Sequence, residues 1–264
     1  MRMLPPLIAR IERGVMRKLP PALVLGVNAM LHQRLGEPEQ HELKHLVRPG
    51  TIAVDVGAHF GMYSFALARL VGDGGRVIAI EPIVEDADLI GRAARTLRRP
   101  ISVVCCALSS HAGEAILRVP RLGGVPKTAL ATLENVAPAG NVGDVESRRV
   151  PMLRLDDVLR NVDRPVSFIK IDVEGHELKV LDGARETLAV HRPNILIEID
   201  HDLGDRPVET VFDRILETGY RGEFLEAGRF RRPLQAFDVG QHQGAAADNV
   251  LSRNYVNNFI FLPE

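Results

Sequence analysis

Thr51-Ile52-Ala53-Val54-Asp55-Val56-Gly57-Ala58-His59-Phe60-Gly61 decides the fold. The first six residues are short, β-branched or small, and apolar until Asp55. Pro49-Gly50 precedes them and Gly57 follows, the pattern of a buried strand. Met62, Phe65, Ala66 and Leu70 then recur at helical spacing. Strand, glycine turn and helix open a doubly wound sheet, whose ligands lie at the carboxyl ends of its strands. Asp55 stands at that end, where a carboxylate needs a partner, and Gly57 and Gly61 allow a close backbone approach. The turn is therefore expected to hold a nucleoside-containing ligand.

The same unit recurs along the chain. Arg76 to Glu81 reads as a second buried strand, introduced by Gly72-Asp73-Gly74-Gly75 and ending on Glu81-Pro82, with a helix over about 84–97. Ile101 to Ala107 reads as a third. Val166 to Asp172 is a fourth, again delivering a carboxylate, followed by Val173-Glu174-Gly175-His176-Glu177 and a helix to about Val190. Asn194 to His201 is a fifth, and a helix over 208–218 ends at Gly219. Tyr220 to Glu226 and Val256 to Leu262 are expected to be antiparallel. Between them, Arg229 to Asn254 reads as a loop. Gly113 to Val119 alternates like an antiparallel strand, and Arg148 to Leu153 resumes one. The stretch 120–147 lacks periodicity and reads as a long insert, of the kind that is often a lid or disordered.

Residues 1–48 are expected to form a helical extension before a domain over 49–264. Leu7, Ile8, Ile11, Val15 and Leu19 make one apolar stripe, broken from the next helix by Pro20-Pro21. Such a stripe usually packs on a domain or on a second subunit, so a homo-oligomer through these helices is one expectation; a membrane-surface helix is the alternative.

Bulk properties exclude several classes. A net formal charge of -1 argues against a nucleic-acid protein dominated by phosphate contacts. The absence of Trp argues against a stacking platform for single strands. No apolar run approaches the roughly 20 residues of a membrane span. The two cysteines, Cys105 and Cys106, are adjacent and poorly placed to bridge each other. A reducing, cytoplasmic setting is the simpler expectation, and no Cys/His set has zinc-finger spacing.

Asp55, Glu81, Asp172 and Glu198 thus fall at or near the ends of separate buried strands, and open parallel sheets gather such ends into one crevice. Any one of them alone reads equally well as a helix cap. A dinucleotide site wants Gly-x-Gly-x-x-Gly at the first turn. This turn lacks those glycines, and Asp55 would repel a diphosphate. An acid there suits a cationic ligand. S-adenosylmethionine has an ammonium, a sulfonium and a ribose, matching Asp55 by charge and Glu81 by its hydroxyls.

Four stretches together resemble the successive motifs of the FkbM-type methyltransferases: Asp55-Val56-Gly57-Ala58-His59-Phe60-Gly61, Glu81-Pro82, Ala107-Leu108-Ser109 with Gly113-Glu114-Ala115, and Lys170-Ile171-Asp172-Val173-Glu174-Gly175-His176-Glu177. The resemblance spans about residues 37–262. It implies an α/β, Rossmann-like, seven-stranded doubly wound sheet, its last strand antiparallel, that binds S-adenosylmethionine and methylates hydroxyls of sugars or small natural products. By position, Asp55, Gly57 and Gly61 would line the methionine end and Glu81 the ribose. Pro82 belongs to the same motif, and Ala107 and Ser109 lie where the adenine pocket is usual. Glu37, in Glu37-Pro38-Glu39, matches an acidic position before the first strand. His59 stands where the family usually has Asn.

Transfer to an alcohol needs its proton removed, directly or with a metal's help. Asp172 and Glu174 are the candidates for orienting the acceptor hydroxyl. His176, with an ordinary pKa of about 6.5, is a candidate base; the alternative is an exposed residue of the first helical turn. Glu177 reads as a first-turn acid. Glu198 is placed at the acceptor site or as a tie to a neighbouring loop, and His201 lies near it. Asp172 with Glu174 or Glu198 has the chemistry to chelate Mg²⁺, although spacing fixes no geometry. The other functions weighed are an NAD-dependent sugar-modifying enzyme and a non-catalytic nucleoside-binding protein.

Overall fold

The computed structural model describes residues 38–134, 144–201, 203, 206–244 and 255–264. The expectations for residues 1–37, Glu37 included, lie outside the described residues.

The sheet grows from strands that are apolar on both faces, as a parallel sheet covered by helices requires. β1 (Ile52–Val56) and β8 (Val166–Ile171) are buried at every residue. β1 pairs in parallel with β2 (Arg76–Ile80) on one side and with β8 on the other. β2 pairs in parallel with β3 (Ile101–Val104), and β8 with β9 (Asn194–Glu198). β12 (Asn258–Pro263) runs antiparallel between β9 and β10 (Tyr220–Glu226). The order β11-β10-β12-β9-β8-β1-β2-β3 contains the expected seven strands and one more. The eighth is β11 (Phe230–Pro233), a hairpin partner of β10 inside the stretch read as a loop.

Helices cover both faces. Leu43, Leu46 and Val47, from α1 (Leu43–Leu46) and its end, and Tyr63, Leu67 and Val71 of α2 (Met62–Val71) pack on Ala53, Val77, Phe168, Leu196 and Ile260. Residues 43–47 therefore share the core of the domain. On the other face, Val54, Ile169, Ile171, Ile195 and Phe259 meet the helices that follow β8 and β9. The helix after β8 is two helices, α5 (Glu177–Asp182) and α6 (Arg185–His191), after α3 (Val84–Thr96) and α4 (Leu155–Val158). Gly183 separates them because the chain there meets a neighbour's backbone: a Cβ would stand 2.1 Å from the Ser109 carbonyl oxygen. α7 (Glu209–Leu216) completes that layer.

The third strand and the insert differ from their readings. β3 ends at Val104, and β4 (Ala107–Leu108) leaves the main sheet to pair with β7 (Asp144–Leu153). β5 (Gly113–Leu122) pairs antiparallel with β7 over nine registered positions, and β6 (Val125–Pro126) adds to β5. The strands expected over 113–119 and 148–153 are thus present, and residues read as irregular, 120–122, 125–126 and 144–147, extend them into a second, four-stranded sheet. Its ladder joins positions far apart in sequence, which local periodicity does not reveal.

Candidate active site

The topology places the crevice. The chain runs outward from β1 through β2 to β3, then crosses back to lay β8 on the other side of β1. The switch point lies between the carboxyl ends of β1 and β8, where ligands of open α/β sheets bind. Asp55 and Asp172 stand there, and the Asp172 amide donates to the Val56 carbonyl (3.0 Å). Gly57 is required by this approach. Its φ is +78°, and a Cβ would lie 1.8 Å from the Asp172 carbonyl oxygen. What the glycine approaches is therefore the neighbouring strand end. Gly61 caps the start of α2 with φ +80°.

Asp55 is 2% exposed and accepts from the Ser64 hydroxyl on α2 (2.5 Å). Burial pushes its pKa up to about 6, against the pull of Ser64 and Lys170. Glu81 is equally buried, with one oxygen accepting from the His59 amide and the other from the Ile83 amide (both 2.8 Å). It thereby ties the first turn to the end of β2. Burial pushes it up to about 8 despite those donors. Each oxygen keeps a further lone pair for a ligand hydroxyl.

Beyond β8 the chain turns through Glu174, whose φ is +51°. A non-glycine residue held in that region costs about 1–3 kcal/mol and is typical of functional loops. Two contacts impose it. The Thr132 hydroxyl donates to the Glu174 carbonyl (2.6 Å), and the Gly175 amide donates to Glu177 (2.9 Å). The half-buried Glu174 carboxyl is pushed up to about 8, by burial first and then by Asp172. Burial likewise pushes Glu177 up to about 7.

His176 is neither exposed nor free. It is buried at the start of α5, with Nδ1 2.6 Å from Glu134 and Nε2 3.0 Å from the Ser109 hydroxyl. A carboxylate only accepts, so Nδ1 carries the proton and Nε2 accepts from Ser109. Burial holds the imidazole pKa below its ordinary value despite Glu134. To act as a base, the ring would have to give up its bond to Ser109. Ala107 lies in a small apolar cluster with Ile83, Leu117, Val119 and Val150. Pro82 accepts at its carbonyl from Cys105 (3.9 Å).

His59, at φ +47°, bonds through Nε2 to the Thr128 hydroxyl (3.1 Å). Thr128, Thr132 and Glu134 thus join the insert to the turn after β1, to the Glu174 loop and to His176. Thr132→Val removes two hydrogen bonds, since its oxygen also accepts from the Glu134 amide. It should lower stability by about 1–3 kcal/mol and speed proteolysis within 127–134. Unchanged proteolysis would mean that the clasp does not hold the insert.

Glu198 accepts from Asn257 (2.6 Å) and lies 3.9 Å from the Lys170 ammonium, whose distance to Asp172 is 3.7 Å. Asp172 and Glu198 therefore share a lysine where Mg²⁺ chelation was considered. Among the described residues no group of three His, Cys, Asp or Glu side chains is placed to hold a metal. The His201 amide is bound by Gln243, and Asp200 accepts from Tyr255 (2.5 Å). Lys170 and the insert residues Thr128, Thr132 and Glu134 were missed in sequence. For Lys170 the signal was there: a charge inside an otherwise apolar strand.

The raised acids predict how stability follows pH. Asp55, Glu81, Glu174 and Glu177 titrate at about 6 to 8 in the folded chain and at about 4 when unfolded. Between those values the folded state binds more protons, so stability falls as pH rises. The melting temperature of the ligand-free protein should drop from pH 5 to pH 8. A rise across that window would contradict the charge state of the crevice.

The fold and the row of acids at its switch point define a Rossmann-like methyltransferase architecture. The chain belongs to the methyltransferase FkbM domain family, whose description matches residues 55–222. A methyltransferase of Sordaria araneosa, sdnD, is 29% identical over 177 residues, covering 58% of this chain and 68% of that protein. The crystal structure of methyltransferase FkbM from Methylobacillus flagellatus superposes with a TM-score of 0.50 at 18% identity. That match covers 96% of this chain, which spans only 58% of the other's length. No helix among the described residues is long and apolar enough to cross a membrane.

Proposed function

We propose that the protein is an S-adenosylmethionine-dependent O-methyltransferase acting on a hydroxyl of a sugar or small natural product. The observation that carries this reading is the pair Asp55 and Glu81, buried on either side of the first turn and pushed up in pKa by burial. Lys170 is the only buried lysine or arginine among the described residues. A cationic ligand with a ribose relieves such carboxylates, whereas a diphosphate would add to their repulsion.

S-adenosylmethionine supplies an electrophilic methyl on a sulfonium. Asp55 and the turn from Gly57 to Gly61 would hold its methionine end, and Glu81 its ribose hydroxyls. The remaining work is positioning and proton transfer. Asp172, at the end of β8, and Glu174, in the turn after it, would orient the acceptor hydroxyl. Glu174 takes its proton: a carboxylate with a pKa near 8 is well matched to an operating pH near neutral. Glu198 orders Asn257 beside them. The insert through Thr128 and Glu134, joined to this crevice, is where a small-molecule or saccharide acceptor would be selected. The unbridged Cys105 and Cys106 support a cytoplasmic setting.

Incubation with methyl-labelled S-adenosylmethionine and a panel of glycosides and polyketide-type alcohols tests the reading. The expected product carries the label on oxygen, and Glu174→Gln loses turnover while keeping cofactor affinity. Label found only on nitrogen or sulfur acceptors would overturn the O-methyl assignment.

A further inference from the structure

Lys170 lies mid-sheet in β8 with 1% of its surface exposed. An ammonium so buried is costly unless it is paired and hydrogen-bonded. Its Nζ donates to the side-chain oxygen of Asn258 (3.2 Å) and approaches the Ile171 carbonyl (3.5 Å). Asp172 and Glu198 stand at 3.7 and 3.9 Å, and the Tyr63 ring of α2 at 5.2 Å. Asp55 feels its charge from the next strand.

The strand registers turn these contacts into a pattern. Asp55 pairs with Lys170, Lys170 with Leu196, and Glu198 with Asn258. Side chains alternate along a strand. Asp55, Lys170, Glu198 and Asn258 therefore share one face of four neighbouring strands. Leu196 and Ile260 continue the row of Asp55 and Lys170, and Ala53 and Phe168 lie below it, all four apolar and buried. Polar side chains thus occupy the crevice end of that face, Asp55 and Lys170 in one row and Glu198 and Asn258 one step further out, with one cation among the carboxylates. Both carboxylate distances are longer than a hydrogen bond. The ammonium is therefore shared between acids instead of being committed to one of them.

We infer that Lys170 is a positioning residue of the transfer site: held by Asn258 between Asp172 and Glu198 and beside Asp55, its ammonium keeps Asp55 charged and the neighbouring carboxylates in register for a cationic ligand. This rests on the cofactor reading above. A lysine serving only to fill and neutralise the core would affect folding and leave the ligand's pH dependence alone.

Calorimetric titration with S-adenosylmethionine from pH 5.5 to 7.5 separates the two roles. Wild-type affinity rises with pH, because ionised carboxylates hold the cation. In Lys170→Met the midpoint of that rise moves up by about one pH unit, the lower end of what a nearby opposite charge does. Affinity at pH 6 then falls about fivefold, with convergence at the alkaline end. A lower melting temperature with an unmoved midpoint would overturn the inference. If Lys170→Met does not fold, Glu198→Gln is read instead. It removes an acid that competes for the ammonium, so the midpoint should move down, and an unmoved or raised midpoint overturns the inference. Wild-type protein that binds no S-adenosylmethionine at any pH would overturn the cofactor reading itself, and this inference with it.

Discussion

Gly57→Ala destabilises the protein by about 3 kcal/mol or more, since both the left-handed backbone cost and the overpacking cost are about 1–3 kcal/mol. The added methyl would sit 1.8 Å from the Asp172 carbonyl oxygen, a backbone atom just past the end of the buried β1–β8 pair. Relief requires β1 and β8 to separate where the Asp172 amide bonds to Val56. That separation opens the switch point itself. Denaturant unfolding should show a lower midpoint, and S-adenosylmethionine affinity should fall with it. Gly50→Ala is the control, because its φ of +75° imposes the same backbone cost while its Cβ meets nothing within 4 Å. If the two variants were equally destabilised, the close approach to Asp172 would not be what fixes the turn.

Glu81→Ala loses cofactor binding and part of the turn together. The carboxylate holds the amides of His59 and Ile83 inside the protein. Removing it leaves two buried donors without an acceptor, at about 1–3 kcal/mol each. The hold on a ribose goes as well, worth about 0.5–1.5 kcal/mol for a hydrogen bond to a carboxyl that is mostly neutral at pH 7, or about 2- to 10-fold in affinity. Glu81→Gln distinguishes the two losses. Its amide oxygen still accepts from one backbone donor, so stability should recover in part while affinity stays low. Affinity that tracks stability in both variants would mean that Glu81 is only a brace for the turn.

The parts of the fold around the crevice that are legible in the sequence are those made of short, doubly buried strands between glycine or proline signals. Thr51 to Gly61 and Val166 to Glu177 announce strand, turn and helix locally, and an acid at the end of an apolar run stands out. Lys170 was passed over because the run around it reads as buried and apolar, although an interior lysine requires partners. His176 reads in sequence as a base or as an exposed residue; it is buried, with Glu134 and Ser109 holding its two ring nitrogens. Glu134 lies 42 residues away and Ser109 67, so no local pattern relates them. The insert failed for the same reason. Pro120, Gly123, Gly124 and Pro126 break every local period, and the continuation of the expected strand past Val119 depends on partners at Asp144 and Val145. His59 gains a role from the same pairing, since the insert brings Thr128 to its ring.

The most direct test of the central claim is calorimetry of the wild-type chain with S-adenosylmethionine and, separately, with NAD at pH 7. The expected result is saturable binding of S-adenosylmethionine, about one per chain, with no heat of binding from NAD. Binding of NAD without binding of S-adenosylmethionine would contradict a crevice whose buried carboxylates select a cation and exclude a diphosphate.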